Sequence, residues 1–286
     1  MVASTLFLSA LTASQVLGGG ECRPPRDSSE ARLLAWFAAP IAFSPAGHAG
    51  PLPAGAVRLS FDVTWVPTPG RELSRASYCQ RKSETTDLSP IFPRPRVAVG
   101  LPGGFHVEGS YLPPVTILDA TPNLGALALG WTRTLREDAA GGSTWLAVRA
   151  HATIGEVKGA ITCAKDALQT TSPTQPCFGD QPSNDSYEPN MLGGELIVGW
   201  RGSGRLSAYA GAGYTSLSPR FQVHFMPRGG ALDDTRVLVD DSRVAAFAGG
   251  RWRVTPRGAV TAELYSVPKD LTTVRVGASW QLRGAP

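Results

Sequence analysis

From Val57 to Trp65 the chain alternates strictly. Val57, Leu59, Phe61, Val63 and Trp65 are apolar, and Arg58, Ser60, Asp62 and Thr64 between them are polar. A period of two puts alternate side chains on opposite faces of a β-strand, so this segment predicts a strand with one apolar and one polar face. The same pattern recurs at 96–101, 105–111, 126–132 and 146–154, and again at 192–200, 205–215, 243–254, 260–265 and 273–282. About ten strands are therefore expected. Leu206–Phe225 and Thr235–Val254 read as one tall hairpin.

The connections sort into two classes. Pro67–Pro93, Pro113–Pro122, Cys163–Pro189 and Met226–Asp234 are long, with Pro268–Leu271 a short exception. The junctions between them are tight: Pro102-Gly103-Gly104, Arg201-Gly202-Ser203-Gly204 and Thr255-Pro256-Arg257-Gly258, with Glu137–Ser143 slightly longer. Long loops at one end and short turns at the other are the asymmetry of a membrane barrel whose loops face outward and whose turns face the periplasm. An even strand count places both termini at the short-turn end. On this topology Trp131, Trp145, Trp200, Trp252 and Trp280 fall towards that end, while Trp65 and Tyr111 fall at the opposite one. Two aromatic belts are what rings with a polar tip form at the headgroup level on either side of a bilayer.

One segment departs from the strand pattern. Asp27 or Ser28 caps a short helix to Ala39, with Glu30 in its first turn, Leu33, Leu34 and Phe37 on its apolar face and Pro40 ending it. Residues 21–55 then form a plug or a periplasmic linker, and 56–286 the barrel. Residues 1–20 read as a signal peptide without a basic n-region.

Composition agrees with export and with strands. Hydrophobic residues make up 42% of the chain and charged ones only 17%, with 32 Gly and 24 Pro. Soluble domains carry nearer ~25% charge. No Lys/Arg cluster interleaved with aromatics accompanies the net charge of +4, which argues against a nucleic-acid partner. Four cysteines in an exported chain imply disulfides. Cys163 and Cys177 bracket a polar loop, leaving Cys22 and Cys79 as the other pair. That second link would require the N-terminal segment to thread the lumen, because a disulfide spans ~6 Å between Cα atoms and the apolar band ~25 Å. No CxxC or HxxxH spacing suggests zinc, and no cofactor is called for.

These features resemble the outer-membrane protein β-barrel domains, particularly uncharacterised bacterial members, over Ala56–Leu282. The resemblance rests on the alternation, the aromatic placement and the last strand, Thr272–Leu282, where Trp280 and Leu282 approximate a terminal aromatic signal ahead of Arg283–Pro286. Gly109–Pro114 and Tyr209–Tyr214 are further segments of this kind. The resemblance implies an all-β fold, a closed antiparallel transmembrane β-barrel, set in outer-membrane lipid and inserted by the assembly machinery.

The polar face then lines a lumen. Arg58, Asp62, Arg96, His106, Glu108, Arg149, His151, Glu195, Arg205, Arg251, Glu263 and Arg275 are its charged and imidazole residues. A barrel this narrow is filled by its own side chains, and Arg pairs bidentately with carboxylates, so a packed ionic network is expected. An Arg-lined pore for small anions is the sharper alternative. His106 with Ser110 and His151 with Thr153 are the nearest approach to a nucleophile–base pair, and neither spacing brings its members into contact along one strand. The reading is therefore not of an enzyme. Asp180, Asp185 and Glu188 lack the spacing of a calcium loop and read as solvated acids, as do Asp233, Asp234, Asp240 and Asp241. His48 and His224 read as solvated too. The expected function is a small channel or a structural or binding barrel with long disulfide-pinned loops. The alternatives are uptake of an apolar ligand past a plug contacting the wall through Leu33, Leu34 and Phe37, or a surface-displayed binding module.

Overall fold

The computed structural model describes residues 19–46, 50–75, 78–79, 90–117, 119–139, 141–268 and 270–284. The signal segment up to residue 18 and His48 lie outside them. The chain begins with β1 (Glu21–Cys22) and α1 (Ser29–Ile41). The first half of the wall follows: β2 (Val57–Trp65), β3 (Ile91–Gly100), β4 (Phe105–Leu112), β5 (Ala120–Glu137) and β6 (Ser143–Gly159). A short β7 (Asp185–Glu188) precedes β8 (Met191–Arg201) and β9 (Leu206–Leu217). Two more short strands, β10 (Arg220–Gln222) and β11 (Arg236–Leu238), lead to β12 (Asp241–Arg253), β13 (Gly258–Val267) and β14 (Leu271–Arg283).

Ten of these strands close into an antiparallel barrel. Each pairs with the next, β6 with β8 and β9 with β12, and β14 returns to β2. Closure removes every free edge, which a sheet crossing lipid requires. Leu129, Val148, Val198 and Val276 lie on the outer wall, 52%, 48%, 51% and 53% exposed. Trp65, Tyr111, Trp200, Trp252 and Trp280 are also exposed on the outer wall, and Trp131 is half-buried with its indole N–H donating to the Gly103 carbonyl. Among the described residues no helix is long and apolar enough to cross a membrane.

Trp145 corrects the belt. It is 3% exposed and points into the barrel. It shares the odd, inward phase of Arg149 and His151, and its partner across the ladder is Gly199. A Cβ on Gly199 would lie 2.0 Å from the indole, so the missing side chain provides the space that the ring fills.

The tall hairpin is also corrected. The ribbon breaks at Ser218-Pro219 and at Val239-Asp240. Beyond the break β10 and β11 pair with each other, and β10 pairs with β7, which is anchored to the top of β6. Pro219 has no N–H to continue a ladder. Phe221, Val223, Phe225, Val237 and Val239 above it are buried in one cluster with α1, so the arm folds inward over the barrel's outer end instead of standing up in solvent. The tallest pair is β5–β6, with strands of 18 and 17 residues. At ~3.3 Å per residue these far exceed the ~25 Å band that lipid demands.

The N-terminal end lies at this outer arm, not at the short-turn end. Glu21 and Cys22 pair in parallel with Arg236 and Val237, and Cys22 is bonded to Cys79 at a Cα separation of 5.7 Å. The chain then descends through the lumen. At the inner end Gly55 N–H donates to the Gly100 carbonyl and Gly100 N–H to the Ala56 carbonyl. The described residues of this segment, 21–46 and 50–55, thus run from the outer arm to the short-turn end. The second disulfide joins Cys163 and Cys177.

Candidate functional site

The plug helix starts as its residues dictate. Ser28 caps it, its hydroxyl accepting from Ala31 N–H at 3.1 Å, and Glu30 sits in the first turn. Glu30 in turn accepts from Cys79 N–H, tying the helix start to the disulfide. Pro40 does not end the helix but sits in its last turn, before Ile41. Leu33 and Leu34 are sealed, and so are Trp36, Ala38 and Ala39 on the other sides. From Leu33 on the helix is apolar all round and needs cover all round, and the barrel and its arm supply it.

Below the helix lies a polar layer. Arg96 bonds Asp62 and, at 2.8 Å, Glu108. Arg149 bridges Glu108 at 3.4 Å and Glu195 at 2.9 Å. Glu263 accepts from Ser44 Oγ at 2.6 Å, Ala46 N–H at 2.9 Å and Tyr209 Oη at 2.7 Å, with Arg275 at 3.5 Å. His151 Nε2 lies 3.8 Å from Glu195. All of these side chains are buried. The lumen therefore brings Asp62, Arg96, His106, Glu108, Arg149, His151, Glu195, Glu263 and Arg275 into one layer.

Sequence reasoning missed Arg94. Pro93 and Pro95 interrupt the pattern there and obscure the inward phase Arg94–Arg96–Ala98. Arg94 donates to the carbonyls of Ile41 and Ala42 at 2.6 and 2.8 Å. Arg275 donates to Ala39 O at 3.2 Å, Arg96 to Ser44 O at 2.7 Å and Arg149 to Phe43 O. The last carbonyls of a helix have no partner within it and carry partial negative charge, so guanidinium groups are suited to receive them. Phe43 sits among three of these groups, its ring 5.4, 4.6 and 4.8 Å from Arg94, Arg96 and Arg149. The network is thus shared between the wall and the plug.

The two histidines occupy spaces left by glycine. His106 pairs with Gly130 across β4–β5 and His151 with Gly193 across β6–β8. A Cβ on either glycine would meet the ring within 2.5 Å. Neither ring nitrogen of His106 has a hydrogen-bond partner, nor does Thr153 Oγ1, so neither proposed nucleophile–base pair is assembled. Among the described residues no three metal-ligating side chains gather. Asp185 is no solvated acid: it is buried and accepts from Thr162 N–H and Oγ1, Ser183 Oγ and His224 N–H. Loop polar groups closed off by the arm need a common acceptor.

Two cavities flank the polar layer. The inner one, about 310 Å³, lies at the short-turn mouth between Pro51–Ala54 of the plug and Arg58, Arg201, Arg205, Arg251 and Arg253. Among the described residues no carboxylate lines it. Arg205 is exposed in the turn before β9, so it belongs to this mouth and not to the lumen, and Arg251 is half-buried beside it. The outer cavity is about 420 Å³. It lies between Trp36, Phe37 and Ile41 of α1 and a wall of Phe92, Leu112 and Ala120. Among the described residues no charged side chain lines it, and the hydroxyl of Tyr187, one of its few polar groups, donates to Leu34 O at 2.8 Å.

No family model matches the chain, and no curated protein does. Solved structures do. Outer membrane protease OmpT from Escherichia coli is 8% identical with a TM-score of 0.44, the match covering 80% of this chain and 94% of that one. Ail, the attachment invasion locus protein of Yersinia pestis, is 12% identical with a TM-score of 0.28, covering 80% of this chain and 100% of that one. Neisserial surface protein A is 11% identical with a TM-score of 0.28, covering 80% and 99%. At such identities the likeness concerns the barrel fold and not activity.

Proposed function

We propose that this outer-membrane β-barrel is a plugged binding barrel, closed to ions, whose ligand is apolar and sits in the outer cavity. The cavity itself carries the reading. At about 420 Å³ it lies within the ~300–1,000 Å³ of small-molecule sites, which are mostly apolar with a few fixed polar groups. An apolar ligand in a space so lined would regain dispersion contacts that its lining otherwise lacks. The plug beneath it is held by the network described above, which favours binding over passage.

The test has two arms. In a planar bilayer the purified protein gives no steady conductance. In detergent, the fluorescent polyene fatty acid cis-parinaric acid binds the wild type, and Ala120→Phe, which fills the cavity, weakens binding about tenfold or more. Steady conductance, or equal binding by both proteins, would refute the reading.

A second reading, capture of a small oxyanion at the inner mouth, is favoured by one observation: the Nε atoms of Arg58 and Arg251 are buried without a partner. Titration with inorganic phosphate should then show binding that Arg58→Gln and Arg251→Gln weaken.

A further inference from the structure

The outer cavity lies beside a break in the barrel ladder. Strand β3 pairs with β2 along nine positions, Ile91 to Val99 against Trp65 to Val57. With β4 it pairs at Val97–Gly100 alone. The direction of the backbone groups explains the difference. Gly100 N–H turns to β2, bonding Ala56 O, and Pro90 O on the same side accepts from Val66 N–H. Leu101 N–H turns to β4, bonding Phe105 O. Odd positions of β3 therefore address β4, and two of them are Pro93 and Pro95. Proline has no N–H to offer. Continuing the register of Val97 against Gly109 sets Pro95 opposite Tyr111 and Pro93 opposite Pro113. Three of the four donors those positions require do not exist. The prolines leave the β2 ladder whole and break the β4 ladder.

The cavity lies at this break. Ile91 and Pro93, in the outward phase of β3, line it together with inward Phe92 and, across the break, Leu112 of β4. Residues of the inner and the outer surface thus border one space. Its height is marked by Trp65, paired with Ile91, and by Tyr111, both exposed in the outer aromatic belt. An open ladder is costly in the hydrocarbon core, where unpaired backbone groups find no water, and is tolerated at the interface.

From the break, the cavity and their height we infer that the site takes a hydrocarbon chain of an outer-leaflet lipid, admitted sideways between β3 and β4. This rests on the apolar-ligand reading above and adds the route and the ligand class. The position selects this occupant: a chain in the membrane lies against Ile91 and Pro93 already.

Trp36 reports on the question, being 4% exposed and part of the cavity lining. The protein is reconstituted in phosphatidylcholine vesicles with brominated acyl chains, and the Trp36 contribution is taken as the difference between the wild type and Trp36→Phe. The expected result is quenching of Trp36 in the wild type and its reduction in Pro95→Val, a residue outside the cavity lining, which restores the donor facing Tyr111. The same variant, assayed in detergent, still binds cis-parinaric acid. Unchanged quenching on restoring this donor would overturn the lateral route. Absence of quenching in the wild type, with cis-parinaric acid still bound, would overturn the lipid ligand and leave the cavity reading standing. No quenching and no cis-parinaric acid binding would mean protein fills the space and would overturn both. The heat-dependent gel mobility of a folded barrel, measured for every variant, separates these outcomes from misfolding.

Discussion

Two levels of the same lumen are built on opposite terms. At mid-height the side chains are charged and every carboxylate meets a guanidinium: Asp62 with Arg96, Glu108 with Arg96 and Arg149, Glu195 with Arg149, Glu263 with Arg275. One level up the side chains are apolar and a cavity of about 420 Å³ remains among them. The contrast follows from the cost of incompleteness. A buried charge without its partner costs several kcal/mol, so the charges of a polar layer must be paired. A gap in an apolar layer forfeits only dispersion contacts, so it survives where a ligand restores them. Pairing of the charges at the lower level fixes the plug; incompleteness at the upper one leaves room for binding.

The largest effect is expected from breaking the lower level. Arg149→Met leaves Glu108, Glu195 and the Phe43 carbonyl short of a donor and should cost about 3–5 kcal/mol, read from urea unfolding of the refolded barrel. Replacing both cysteines of the first pair, Cys22→Ser with Cys79→Ser, releases a link across 57 residues, worth about 4 kcal/mol on chain-entropy grounds. Here faster amide exchange along α1 is the readout, with intermittent ion conductance as the plug loosens. Leu34→Ala, in the apolar cluster around α1, should cost about 3 kcal/mol by the same unfolding assay. Ala120→Phe sharpens the comparison: because it enters existing space, stability should change by about 1 kcal/mol or less while apolar-probe binding is lost. A large destabilisation there would mean the upper level is as tightly filled as the lower. The smallest effect is expected at the outer loop pair Arg228–Asp180. Arg228 donates to both carboxylate oxygens and holds the Asp180 carboxyl below its usual range, so any contribution is present at neutral pH and lost as pH falls through that lowered value. The pair is fully exposed, and Asp180→Asn should leave the unfolding midpoint unmoved.

Much of this was legible as alternation. Val57–Trp65 and Thr272–Leu282 carry a two-residue period that no other element satisfies, and turn lengths order the strands around the ring. The lumen residues follow from the same phase, with Arg205 displaced because it falls in a turn. Arg94 was hidden by Pro93 and Pro95, which read as loop and act as strand residues whose missing donors face one neighbour only. Trp145 was misplaced because its position along the strand suits a belt, while its phase, and the empty place at Gly199, turn it inward. The arm was unreadable for a different reason: Phe221, Val223 and Val237 alternate as a wall strand does, and their burial over α1 depends on a helix nearly two hundred residues earlier.

What the sequence alone determined is the identity of the elements, because a strand's two faces are set by local period and a helix's by its caps. What tertiary structure decided is what those faces meet. Whether a guanidinium finds a carboxylate, a helix carbonyl or nothing, and whether a missing N–H breaks one ladder or two, are relations between residues far apart in the chain. Local chemistry specifies donors and greasy surfaces; only closure of the ring and descent of the plug assign them partners.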